Sequence, residues 1–232
     1  MHHLLHHDPI WFKWLLGLHI VAGFTAFLFA PLALVVKKGG PAHRRWGKIY
    51  FWAMAVVAAS ALVLSGYRPI LFLALVAVFS FYAAFYGYRV LGQKNLAQGG
   101  KASWVDWSAA GVTLSTSLLL ALLGMFRPEL VQGKGAVSIV FGLLGISMAV
   151  TRMLRFLRTP KFRMFWWNDH LQGMLGSYIA AWTAFSSVTL SQFFGSTWYV
   201  WLWPTILGTP AIVITSAYYQ RKFTQRRAVA AD

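Results

Sequence analysis

The chain has no cysteine and few acids, five Asp and Glu in 232 residues, and only 11% of its residues are charged. Without cysteine there is no disulfide framework, no Cys-ligated zinc or iron–sulfur cluster, and no cysteine nucleophile. The low charge, beside 58% apolar residues, departs from the composition of a water-soluble domain, which carries ~25% charged residues. Phosphate-binding glycine loops, HExxH and GxSxG patterns are also absent, which removes the commonest nucleotide, zinc-protease and serine-hydrolase signatures.

What is abundant is apolar length and basic charge. A bilayer core about 30 Å thick needs roughly 20 apolar residues per crossing helix. Seven such stretches are predicted: Trp11 to Val36, Gly47 to Ser65, Pro69 to Val90, Trp104 to Phe126, Ala136 to Leu154, Asp169 to Phe193 and Tyr199 to Tyr219. They are too long and too evenly apolar for the alternating strands of a membrane barrel, so the expected fold is an all-α bundle of seven transmembrane helices. The remaining segments form a His-rich external tail over 1–10 and a basic cytoplasmic tail over 220–232. The loops between spans are too short for a soluble domain, and no internal repeat suggests an inverted-repeat transporter.

The formal charge of +16 would suggest nucleic acid in a soluble protein, but sorting it by loop gives another meaning. Seventeen of the 21 Lys and Arg fall on one side of the predicted spans, including Lys37, Lys38, Arg44, Arg89, Arg152, Arg155 and Arg221. Four (Lys13, Arg68, Arg127 and Lys134) fall on the other. The positive-inside rule then puts the amino terminus outside and the carboxyl terminus in the cytoplasm. Ten of the twelve tryptophans lie near predicted span ends, where the amphipathic indole prefers the headgroup level. The expected partner is therefore the lipid bilayer and not nucleic acid, with a second copy or a membrane complex left open. The first apolar run is too long, and its start too poor in basic residues, for a cleaved signal peptide, so it is expected to remain as span one.

Ionisable residues at membrane depth carry the functional expectations. His19 opens a small-residue stripe with Ala22, Gly23, Ala26 and Ala30, which turns the imidazole toward neighbouring helices. It reads either as a buried histidine bonded to a neighbour or as a cofactor, metal or relay residue. Asp169 and His170 open the sixth span, where Asp169 is expected as a capping carboxylate at the helix start. Asp106 begins span four, as a cap or the partner of a loop arginine. His43 is expected in the first cytoplasmic loop. This topology gathers His43, His170, Asp106 and Asp169 at one face, a donor set that suits zinc, manganese or non-haem iron, or a haem through the two imidazoles alone. Either carboxylate, with Asp106 the better placed, could orient His170. His19 is ~25 Å from the inner end of its helix, too deep to share one iron with His43 or His170.

Two further features carry weaker expectations. His2, His3, His6, His7 and Asp8 form either a disordered tail or a weak copper or zinc site. Pro204 and Pro210 with Thr205, Thr209, Thr215 and Ser216 mark either a kink or a broken helix at a substrate site. The seventh span has no lysine, so a retinal Schiff base has no attachment residue.

The stretch LHIVAGFTAFLFAPLALVVKKGGPAHRRWGKIYFWAM, with His19, Lys38-Gly39, His43-Arg44 and Gly47, resembles a family of uncharacterised bacterial multi-pass membrane proteins grouped by a domain of unknown function. SFYAAFYGYRV and DHLQGMLGSYIAAWTAF, around His170, Leu171 and Met174, extend the resemblance over most of the chain. The resemblance implies a helical fold in the bacterial inner membrane and singles out His19, His43 and His170. It implies no activity. Three readings follow: a cofactor- or metal-binding membrane protein, with haem or a divalent transition metal on His43 and His170; a small-molecule or proton-coupled transporter; and a structural or accessory subunit. Whether the chain is an enzyme is left open.

Overall fold

The structure is a computed structural model that describes residues 8–160 and 164–229, with side chains as far as Phe223. The His2, His3, His6 and His7 tract and the loop residues Lys161 and Arg163 lie outside the described residues. All elements among the described residues are helical: α1 (Ile10–Val35), α2 (Pro41–Tyr67), α3 (Leu71–Arg89), α4 (Trp104–Phe126), α5 (Gly135–Leu157), α6 (Phe165–Thr189), the single turn α7 (Ser191–Phe194) and α8 (Trp198–Val229). Short 3-10 turns fill the connections after α3 and α4.

Six of these helices (α1, α2, α3, α4, α5 and α8) are long and apolar enough to cross a membrane, where seven were expected. The exception is α6. It has 25 residues, ample for a crossing, but Asn168, Asp169, His170 and Gln172 in its first two turns, with Ser, Thr and Gly further on, lower its apolarity. Those residues face protein. Asn168, Asp169, Gly173, Ser177, Thr183 and Ser186 are all buried, and α6 packs against α3, α8 and α1.

The helices meet through small residues, because lipid tails are as apolar as leucine and association depends on close contact. Ala22, Ala26, Ala30 and Ala33 are the buried stripe of α1, which packs on α2. Between α3 and α6, a Cβ built on Gly173 would lie 2.7 Å from both the Ala83 carbonyl oxygen and the Gly87 Cα. Between α4 and α5, one built on Gly142 would lie 2.6 Å from the Ala121 Cβ.

Helix starts explain where the boundaries moved. α2 begins at Pro41, six residues before its expected start, because proline's fixed φ and missing N–H suit the first helical position. Gly39, at φ +74°, supplies the turn that precedes it. His43 is thus on the first turn of α2 and not in a loop. α6 begins at Phe165, so Asp169 is not its cap but stands inside the helix and is completely buried. α5 runs on to Leu157, which makes Arg155 a helical residue instead of a loop charge. α4 begins at Trp104, as expected, through a capping box. Ser103 accepts the Asp106 backbone N–H at 3.4 Å, and Asp106 accepts the Ser103 N–H at 2.9 Å. α8 is continuous through Pro204 and Pro210, without the break of a discontinuous substrate helix.

The ends of the bundle are tied by polar contacts. At one end Asp8 accepts from Arg68 at 2.6 Å, joining the start of α1 to the α2–α3 turn. At the same end, in the α4–α5 connection, Lys134 lies 5.5 Å from the Phe72 ring centre and 5.8 Å from that of Trp201. The other end gathers the α1–α2, α3–α4 and α5–α6 connections, and the candidate site lies there.

Candidate functional site

Four helices meet at this end around two carboxylates. Arg89, the last residue of α3, holds Asp106 of α4 through a fork: Nε donates to Oδ1 at 2.9 Å and Nη2 to Oδ2 at 3.0 Å. The Ser103 hydroxyl donates to the same Oδ2 at 2.6 Å. Asp106 is therefore both cap and arginine partner, the two roles its position suggested. One turn in from the end of α5, Arg152 Nη1 pairs with Asp169 Oδ2, while Arg155 Nη2 reaches Oδ1 at 3.3 Å. The side chains of Arg152 and Asp169 are 5% and 1% exposed. Tyr86 covers the network, its ring centre 4.6 Å from the Arg152 guanidinium carbon. Charges this deep persist only when paired, which is why two carboxylates and three guanidiniums occupy one place.

Sequence reasoning misses Arg152, because positive charge near a span end is assigned wholly to orientation. A signal was present, since Arg152 lies inside the expected fifth span and one helical turn before Arg155. An i, i+3 arginine pair puts two cations on one face of the helix.

The histidines form a second, adjoining group. His43 and His170 meet with ring centres 6.1 Å apart at an interplanar angle of 77°. Nδ1 of His170 donates to the Gly87 carbonyl at 2.7 Å, and Nδ1 of His43 donates to the Ala33 carbonyl at 2.9 Å. A carbonyl only accepts, so each Nδ1 carries a proton, which leaves Nε2 as the nitrogen that can offer a lone pair. The His43 bond also satisfies an orphan carbonyl in the last turn of α1, where Lys38 Nζ donates to Ala33 at 3.4 Å and to Leu34. Partial burial holds the Lys38 ammonium below the usual lysine range.

The expected four-donor set does not converge as a unit. His43 and His170 come together, but the oxygens of Asp106 and Asp169 are taken up by arginines, and among the described residues no group of three or more His, Asp or Glu is placed to hold a metal ion. Neither carboxylate orients a histidine; backbone carbonyls do. His19 stands apart, as its depth required. Its Nδ1 lies 2.9 Å from the Ser60 Oγ on α2, and Ser60 passes its own proton to the Val56 carbonyl at 2.6 Å. His19 is thus half-buried and bonded to a neighbouring helix. Asp8, considered with the histidine tail, is instead the partner of Arg68.

No family model, curated protein or solved structure matches the chain.

Proposed function

We propose that the chain is a seven-span protein of the bacterial inner membrane that holds a metal centre, as a bare transition metal or as haem iron, through the Nε2 atoms of His43 and His170. Six helices are apolar enough to cross by themselves. The seventh crossing is α6, whose polar residues are shielded by α1, α3 and α8. The division of basic residues supports an external amino terminus. The resemblance carried by His19, Lys38-Gly39, His43-Arg44 and Gly47 belongs to this reading.

One observation carries the metal assignment: two imidazoles from different helices, 6.1 Å apart, each with Nδ1 fixed by a carbonyl. Fixing Nδ1–H on a carbonyl sets the tautomer and ring direction used by ligating histidines. Two imidazoles bonded to one ion at ~2.0 Å each would have ring centres roughly 5–6 Å apart. Imidazole suits iron, copper, nickel and zinc, and two protein ligands leave coordination positions for a porphyrin, water or substrate. Asp106 and Asp169 belong to the wall of the site, not to its ligands.

An absorption spectrum and metal analysis of detergent-purified protein test this reading. Close to one metal per chain is expected, with a Soret band if the iron is in haem. The metal should be lost in His43→Ala and His170→Ala and kept in His19→Ala. A colourless wild-type protein that is metal-free and takes up none of added iron, copper, nickel or zinc would refute it.

A further inference from the structure

Beside the histidine pair, and independent of it, a small crevice opens among α3, α4, α5 and α6. Its charged lining is Arg89, Asp106, Arg152, Arg155 and Asp169, with Tyr82, Tyr86 and Gln93 as the uncharged polar residues. Its volume of about 10 Å³ is room for one water-sized occupant. The outer wall is reached past Arg89 and Arg155, whose side chains are 38% and 28% exposed. The inner wall is Tyr82 and Arg152, at 3% and 4% exposed.

Two features of this lining are unbalanced. The Tyr82 hydroxyl and Arg152 Nε, both buried, meet no hydrogen-bond partner among the described residues. Both are donors where the tyrosine gives its proton, and a guanidinium N–H can do nothing else. The charges do not cancel either. Arg89 and Asp106 neutralise each other through their fork. Asp169 alone faces two guanidiniums, so the α5–α6 part of the wall carries one uncompensated positive charge. A formal surplus of one cation, carried by the partly exposed Arg155, and unmet buried donors on residues that line one small cavity favour the same thing, a monovalent acceptor without protons.

We propose that this crevice is a binding site for one small monatomic anion, with chloride as the probe. Arg152 Nε and the Tyr82 hydroxyl donate to it, and Arg155 supplies the charge it balances. The volume excludes organic carboxylates and phosphate esters from full entry. The bound anion ties α3 to α5, so its expected effect is on the stability of this end of the bundle.

The test is thermal unfolding of the purified protein at constant ionic strength while chloride or bromide replaces gluconate, which is too large to enter. The wild type should gain stability with either halide along a saturating curve. Tyr82→Phe should raise the half-saturating halide concentration several-fold. Arg155→Gln, which removes the surplus charge and leaves Arg152 paired with Asp169, should flatten the curve and be no less stable in gluconate than the wild type. A wild type indifferent to halide, as expected if the crevice holds only water, overturns the proposal. So does a halide response that both variants retain. If the variants do not fold, equilibrium dialysis of the wild type against radioactive chloride decides. About one ion per chain supports the site, and none refutes it.

Discussion

Arg152 of α5 closes on Asp169 of α6, and Asp169 is shared with Arg155 one turn further along α5. The three side chains form an asymmetric unit, in which the acid has two partners and each arginine has one acid. Its response to mutation should be asymmetric too.

Asp169→Asn should be the most damaging single change in the network. It strands one fully and one partly buried guanidinium, and losing one partner of a buried pair costs about 3–5 kcal/mol. Arg152→Met should cost clearly less, because Arg155 remains to hold Asp169. The double variant Arg152→Met with Asp169→Leu should be milder than the sum of its singles. Denaturant unfolding in mixed micelles, read as a double-mutant cycle, measures the coupling. Equal costs for the two single variants would contradict the sharing of Asp169.

The α3–α6 crossing should tolerate no side chain at Gly173. A methyl group there meets backbone atoms 2.7 Å away, Gly87 Cα and the Ala83 carbonyl oxygen, which cannot swing aside. Gly173→Ala should therefore destabilise by about 1–3 kcal/mol, the range for overpacking. Gly23→Ala on α1, where no atom lies within 4 Å of the added methyl, should be neutral or slightly stabilising. Melting temperatures of the two variants side by side provide the comparison.

Tyr50 of α2 and Ser177 of α6 share a buried hydrogen bond of 2.5 Å, and the tyrosine ring is 2% exposed. Tyr50→Phe keeps the ring and should cost about 0.5–1.5 kcal/mol. Ser177 keeps its bond to the Met174 carbonyl at 2.9 Å, so no hydroxyl is orphaned. Adding Ser177→Ala to Tyr50→Phe should then cost little more. Unfolding free energies of the single and double variants check this.

Lys134, at the opposite end, gives a pH dependence of known sign. Burial against Phe72 and Trp201 holds its ammonium below the usual 10.5. In the interval between that lowered value and 10.5 the unfolded chain binds more protons than the folded one, so the contribution of Lys134 to stability rises with pH. The stability difference between wild type and Lys134→Met should shift toward the wild type as the solution becomes alkaline. Thermal melts of both proteins from about pH 8 to 10 measure it. A shift in the opposite direction would mean that the charged form is favoured on folding.

The helices were legible in the sequence because a run of 20 or more apolar residues has few alternatives in a bilayer, and local chemistry marked several ends. Trp104 to Phe126 came out as read, since Ser103 and Asp106 carry a capping box that needs no tertiary partner. His19 was separable from the other histidines by helical rise alone. The small-residue stripe from Ala22 to Ala30 marked the packed face of α1, and the structure gives α2 as its neighbour. The start of α6 was hidden by its own function in the bundle, because Asn168, Asp169, His170 and Gln172 stand in its first two turns, and Asp169 and His170 become tolerable at depth only with arginines from α5 and a carbonyl from α3.

Composition and periodicity thus determined that this is an all-helical chain with several helices fit to cross a membrane, and that a few acids and histidines need an explanation. The partners of those residues were decided only by the tertiary structure. Asp106 and Asp169 went to Arg89, Arg152 and Arg155, and His43 came to lie against His170. The reason is physical. Hydropathy and helical period depend on neighbours within a turn or two along the chain, whereas an ion pair or a shared ligand depends on which faces of separate helices meet. Close contacts such as Gly87 on Gly173 settle that, and no local pattern of charge encodes it.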